Sequence, residues 1–278
     1  MSDVRNAPQS ANDQRGKSPH GHLVWYELMT SDGDASKAFY DKVVGWTFGD
    51  PVEEFQGYRM IGRSDGGFAG GVLTLTDEMK QHGARPTWLG YIGVDDVDAA
   101  TRRIENAGGK TLMPPTDIES VGRIAMVADP QGAPFYVMKP IPPEGRENDE
   151  SDVFSVDQPQ HVRWNELSTS DPQGAIAFYT GEFGWNQEGE MDMGEMGKYQ
   201  FIHNRGVAIG AVMPKSPKLP VSKWTYYIGV DDIDRAAEAV KSGGGQLIDG
   251  PMEIPGGEFA LHGVDPQGAS FGLVGPRK

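Results

Sequence analysis

The run His22-Leu23-Val24-Trp25-Tyr26-Glu27-Leu28 returns 139 residues later as His161-Val162-Arg163-Trp164-Asn165-Glu166-Leu167. Followed through Gly45-Trp46 against Gly184-Trp185, 12 of 25 positions agree without a gap, where average composition would give roughly one or two by chance. Trp88 and Tyr91-Ile92-Gly93-Val94-Asp95-Asp96 recur as Trp224 and Tyr227-Ile228-Gly229-Val230-Asp231-Asp232, and Asp129-Pro130-Gln131-Gly132-Ala133 recurs unchanged at 265–269. A period this long is domain duplication, because solenoid repeats are far shorter. The chain is one module written twice, and 278 residues suffice for each copy to bury a core of its own.

Boundaries follow from where the pattern stops. Residues 1–20 are polar and lack an apolar run, so they read as a disordered tail rather than a secretory signal or membrane anchor. The first module spans 21–139, residues 140–160 carry proline, glycine and charge and read as a linker, and the second module spans 161–278.

Within each copy a short strand runs into Thr-Ser-Asp, where Asp32 and Asp171 read as helix N-caps and Pro172 takes the first helical position. The helix carries Ala-Phe-Tyr near its middle and ends before Gly45 or Gly184. Short strands follow around Tyr58–Ile61, Ala69–Thr74 and Thr87–Val94. After Asp95-Asp96, best explained as capping residues, a helix over Asp98–Ala107 stops at Gly108-Gly109, and three more strands run from Thr111 to Lys139. Each module is therefore two βαβββ units of an α+β fold, four in the whole chain.

Those four units, the Ala-Phe-Tyr helix ending in Gly-Trp and the Asp-Pro-Gln-Gly turn before the last strand together resemble the vicinal oxygen chelate superfamily, that of glyoxalases, bleomycin-resistance proteins and extradiol dioxygenases. The resemblance implies a curved mixed sheet in each module that cups a ligand cavity, with the modules paired face to edge. In glyoxalase-type members it also implies a divalent metal held by His, Glu or Gln on four strands. Counted from the shared motifs, those positions are Trp25, a residue within 70–72, Leu89 and Tyr136 in the first copy. In the second they are Trp164, a residue within 209–212, Thr225 and Gly272. None is a ligand type for such an ion. The expectation is no metal and no cofactor, and a divalent metal would need a register displaced by a strand bulge.

Strand alternation then says what lines the cavity instead. Trp25 and Glu27 share the face of the lost first ligand, joined by Leu89, Tyr91, Pro134, Tyr136 and Met138. The second set is Trp164, Glu166, Thr225, Tyr227 and Ser270. Trp25, Tyr91, Tyr136, Trp164, Thr225 and Tyr227 are the candidate ligand-binding residues, with Glu27 and Glu166 the candidate catalytic carboxylates, since burial beside indole raises a carboxyl pKa. Aromatic faces and a carboxylate suit a cationic or aromatic small molecule. His22 and His161 have the opposite parity and face away, and His203 and His262, where the first copy has Gly62 and Met126, read as local hydrogen-bonding residues.

A formal charge of −15 repels phosphate backbones and anionic lipid, so neither nucleic acid nor membrane is an expected partner. No cysteine is present, which excludes disulfides and thiolate chemistry and fits a cytoplasmic protein. Duplication supplies within one chain the pairing that single-module relatives obtain by dimerising, so a monomer or loose homodimer is expected. Three readings follow: a metal-free small-molecule binder like the bleomycin-resistance branch, an enzyme (lyase, isomerase or dioxygenase) with a displaced metal or a glutamate base, and an interaction scaffold.

Overall fold

The computed structural model describes residues 19–142, 144–145, 149–217 and 219–278, so most of the expected tail lies outside the described residues. The first module contains β1 (Leu23–Thr30), α1 (Gly33–Val44), β2 (Thr47–Phe48), β3 (Arg59–Gly62), β4 (Phe68–Thr74), α2 (Asp77–Gln81), β5 (Thr87–Gly93), α3 (Val97–Asn106), β6 (Lys110–Ile118), β7 (Gly122–Ala128) and β8 (Pro134–Pro140). The second contains β9 (Val162–Thr169), α4 (Pro172–Phe183), β10 (Asn186–Asp192), β11 (Lys198–Asn204), β12 (Val207–Pro214), β13 (Lys223–Gly229), α5 (Ile233–Ser242), β14 (Gln246–Glu253), β15 (Phe259–Val264) and β16 (Ser270–Gly275). Each forms one eight-stranded sheet, ordered β2-β3-β4-β1-β5-β8-β7-β6 and β10-β11-β12-β9-β13-β16-β15-β14. Two βαβββ units are joined in each by an antiparallel seam, β1 with β5 and β9 with β13. The fold is α+β, duplicated as the sequence pattern requires.

The helices start and stop where the side chains demand. Asp32 accepts from Ala35 N at 3.0 Å, Asp96 from Ala99 N at 2.9 Å, and Asp171 from Gly174 N at 3.0 Å, each cap contributing about 1 kcal/mol. Gly45 and Gly184 end α1 and α4 in the left-handed region, at φ 82° and 68°, where a side chain would be strained. The short α2, capped by Thr76, is not marked by the sequence pattern and has no helical counterpart among the described residues of the second module. Its loop accounts for the fall in repeat spacing from 140 at Thr74/Pro214, just before it, to 136 at Trp88/Trp224, just after.

The modules do not bury separate cores, and they do not meet face to edge. They meet back to back through their helix-bearing faces, α1 against α5 and α3 against α4, with β5 touching β13 and β16. One continuous hydrophobic cluster runs through both, from Tyr26, Phe39 and Trp46 to Phe178, Trp185 and Phe271. The repeated motifs are what close this contact. The Tyr40 hydroxyl accepts from Trp88 Nε1 at 2.9 Å and donates to Asp265 Oδ2 at 3.1 Å across the interface. Reciprocally, Tyr179 accepts from Trp224 Nε1 at 3.0 Å and donates to Asp129 at 3.2 Å. Trp46 and Trp185 donate across as well, to the carbonyls of Gln160 (2.9 Å) and Gly21 (2.7 Å). The Ala-Phe-Tyr, Gly-Trp and Asp-Pro-Gln-Gly motifs thus recur because each copy offers the other the same latch.

Residues 149–160 run between the modules and touch both, Phe154 bridging to Val162 and Gln160 N donating to the Gly229 carbonyl on the second-module side. Val153 is buried in the shared core, Asp152 pairs with the Arg63 guanidinium at 2.5 Å, and Gln160 Nε2 donates to the Gly45 carbonyl at 2.7 Å. No helix among the described residues is long and apolar enough to cross a membrane.

Candidate functional site

With the back of each sheet committed to the interface, the opposite face is free to form a site. Alternation along β1 sends Tyr26 and Leu28 into the shared core and leaves Trp25, Glu27 and Met29 on the concave side. A register shift between Leu23 and Trp25 precedes this stretch, and a matching one lies at Val162 to Trp164. Because both bulges end at the tryptophan, the parity from Trp25 and Trp164 onward is intact.

On the first concave face Glu27 sits between Leu89 of β5 and Gly71 of β4 in register, and it is 4 % exposed. Its Oε2 accepts from the Tyr91 hydroxyl at 2.9 Å, and the Tyr58 hydroxyl lies beside the carboxylate and favours its ionised form. Tyr58 in turn accepts from Trp25 Nε1 at 2.8 Å, and its ring lies where a Cβ on Gly71 would stand. Tyr91 stacks on Tyr136 with ring centroids 4.2 Å apart. Burial pushes the Glu27 carboxyl up to about 7 although the two phenols favour its ionised form, and Oε1 is buried without a partner.

The second concave face repeats the relay. Trp164 Nε1 donates to Tyr199 at 2.7 Å, and Glu166 Oε2 accepts from Tyr199 at 2.8 Å and Tyr227 at 3.3 Å. Burial again raises the Glu166 carboxyl, against the two phenols and the Lys223 ammonium. Thr225 is buried beside Glu166 in register. The sequence-derived candidates therefore converge in two groups, Trp25, Glu27, Tyr91 and Tyr136 on one face and Trp164, Glu166, Thr225 and Tyr227 on the other.

Sequence reasoning missed Tyr58 and Tyr199, the hydroxyls that connect indole to carboxylate. Both are repeated, but 141 residues apart, because two more residues separate Trp164 from Tyr199 than separate Trp25 from Tyr58. Allowing that insertion would have aligned them. It also missed Lys223, which replaces Thr87 on the same face, and placed His262 in a bland role. His262 stands in register with Gly272, next to Tyr227, and its Nε2 is buried without a partner. Burial, with the Lys223 charge adding, lowers the imidazole to about 4, so it is neutral at physiological pH. His161 lies on the inter-module side, its Nδ1 2.9 Å from the Pro159 carbonyl oxygen and its Nε2 3.9 Å from Asp65 of the first module.

The four positions where a glyoxalase-type ion would be held are Trp25, Gly71, Leu89 and Tyr136 on one face, and Trp164, Ala211, Thr225 and Gly272 on the other. Indole, alkyl, phenol and alcohol groups are not the donor set of a chelated divalent ion. Among the described residues no three His, Asp or Glu converge elsewhere.

A sequence profile described as Glyoxalase/Bleomycin resistance protein/Dioxygenase superfamily matches residues 22–137 and again 158–273. The chain is 32% identical over 266 residues to a protein described as putative glyoxylase CFP32 of Mycobacterium tuberculosis, covering 95% of this chain and 98% of that one. It is 31% identical over 271 residues to the anthracycline biosynthesis protein DnrV of Streptomyces peucetius, covering 91% and 93%. Among solved structures, the Mn(II)-bound glyoxalase from Novosphingobium aromaticivorans superposes with a TM-score of 0.62 at 18% identity, over 93% of this chain and 83% of that one. Homoprotocatechuate 2,3-dioxygenase from B. fuscum gives 0.62 at 16%, over 92% and 71%. At these identities the structural likeness is one of fold.

Proposed function

The chain belongs to the glyoxalase/bleomycin resistance protein/dioxygenase superfamily, and on that premise we propose that it binds an aromatic small molecule on a concave sheet face without a chelated metal. The observation that carries this reading is the twice-repeated cluster of indole N–H, phenol O–H and buried carboxylate where the family's ion would sit, closed into one relay through Tyr199 on the second face. Those groups present π faces and a few fixed polar atoms, the usual make-up of a small-molecule site. The 31% likeness along nearly the whole chain to anthracycline biosynthesis proteins supports a polycyclic aromatic ligand. The protein acts in the cytoplasm as a monomer or loose homodimer, with neither nucleic acid nor membrane as partner, in keeping with its charge of −15 and lack of cysteine.

A second reading is favoured by one observation. A carboxyl raised to about 7, as at Glu27, is poised to exchange a proton at neutral pH, so a glutamate-based lyase or isomerase is the alternative. The test is a titration of tryptophan fluorescence with polycyclic phenols and quinones, run on chelator-treated protein and on protein incubated with nickel, zinc, manganese or iron and washed. The expected result is the same saturable binding in both, no retained metal by elemental analysis and unchanged ligand on recovery. Stoichiometric retained metal that is lost in Glu27→Gln or Glu166→Gln would refute the metal-free reading, and a converted ligand would establish the alternative.

A further inference from the structure

The two concave faces share the relay but not its surroundings, and the differences fall at equivalent positions. Where the first face has Leu89, Met126, Pro134 and Tyr136, the second has Thr225, His262, Ser270 and Gly272, and Thr87 is answered by Lys223. Apolar bulk has been exchanged for polar groups or for nothing. On the first face Val24, Met29, Leu89, Tyr91, Ile124, Tyr136 and Met138 are all buried and close over Glu27 as one apolar cluster. Its stacked Tyr91 and Tyr136 rings leave a ligand little surface there. On the second face Glu166 and Tyr227 are partly open to solvent where Glu27 and Tyr91 are buried, while Trp164, Tyr199, Lys223 and Ser270 are half-buried like their counterparts Trp25, Tyr58, Thr87 and Pro134.

The charge on the open face has a direction. Glu166 is already served by two phenol donors, whereas Lys223 has only the Ser270 hydroxyl, at 2.8 Å, and makes no ion pair among the described residues. Burial holds the Lys223 ammonium below its ordinary value, against the nearby Glu166 carboxylate, which favours the charged form. The unpartnered Nε2 of His262 is close enough to feel that charge. A wall for a flat ring stands beside them, with Trp164 edge-on to Phe201 at 6.1 Å and Tyr199 edge-on to Phe201 at 6.0 Å.

We infer that the second concave face alone takes the ligand, and that the ligand is an aromatic acid or phenolate whose oxygen anion is met by Lys223 and His262 while its ring lies against Trp164 and Phe201. The assignment rests on the aromatic-ligand reading above and replaces a cationic ligand by an anionic one. A cation would meet the Lys223 ammonium on the more open of the two faces.

Three probes of one ring system separate the possibilities: 1-hydroxy-2-naphthoate, its neutral methyl ester with the phenol methylated, and 1-naphthylmethylammonium. Each is titrated calorimetrically into the wild type, Lys223→Met and Lys223→Arg. The expected result is one naphthoate per chain, binding weaker on the order of tenfold in Lys223→Met and largely restored in Lys223→Arg, as the loss of one charge-assisted hydrogen bond requires. Circular dichroism of the variants reports that they fold. Two naphthoates per chain, tighter binding of the ammonium probe, or affinity indifferent to residue 223 would overturn the assignment while leaving the aromatic reading in place. Failure of all three probes to bind would overturn both.

Discussion

Glu27 is the group whose burial has the most measurable consequence. A carboxyl ordinarily near 4.5 and held at about 7 in the folded chain binds its proton more tightly when folded than when unfolded. Its contribution to stability is therefore fully present below about pH 4.5, falls as pH rises toward 7, and stays lost above. At about 1.4 kcal/mol per pH unit the gap corresponds to about 3 kcal/mol, of which about 2.5 kcal/mol is lost between pH 5.0 and 8.5. In Glu27→Gln nothing titrates at this position, and the amide oxygen can still accept from Tyr91. Glu166, Asp129 and Asp265 are raised by burial too, but they are common to both proteins and cancel in the difference. Urea unfolding of wild type and variant at pH 5.0, 6.0, 7.0 and 8.5 gives that difference directly, and the continuous core through both modules supports treating unfolding as one transition. The variant should gain on the wild type by about 2.5 kcal/mol across the range. A difference that stays flat, or that moves the other way, would mean that Glu27 ionises at an ordinary pH and that the buried, half-satisfied carboxyl has been misjudged.

Tyr179→Phe removes the hydroxyl that satisfies both Trp224 Nε1 and Asp129 Oδ2, so it should cost about 1–3 kcal/mol in urea unfolding. Tyr40→Phe should cost a similar amount through Trp88 and Asp265, and a negligible effect in either would refute the latch. Gly184→Ala places a Cβ in open space at φ 68°, isolating backbone strain. Its destabilisation should be about 1 kcal/mol by the same assay. Arg63→Met frees Asp152 and the Phe68 carbonyl, and should speed limited proteolysis within residues 140–160 more than anywhere else in the chain.

The duplication, the α+β class, the boundaries of the four longer helices and the face on which Trp25, Glu27, Trp164 and Glu166 stand were legible in the sequence. These follow from short-range rules: Asp before a helix satisfies free N–H groups, Gly after one takes the left-handed turn, and alternate residues of a strand share a side. Long-range pairing is not written in any local period, and it decided the rest. Only the tertiary structure showed that the repeated Ala-Phe-Tyr and Asp-Pro-Gln-Gly motifs are latches between copies, because a tyrosine and its aspartate 225 residues away meet only after both sheets have formed. Only it brought the Tyr58 and Tyr199 hydroxyls onto the carboxylates, since β3 and β11 reach β1 and β9 through an intervening strand. The contrast between a filled face and a half-open one also depended on packing. Leu89 and Thr225 differ by one letter in the sequence, but what each leaves exposed is set by every neighbour that closes around it.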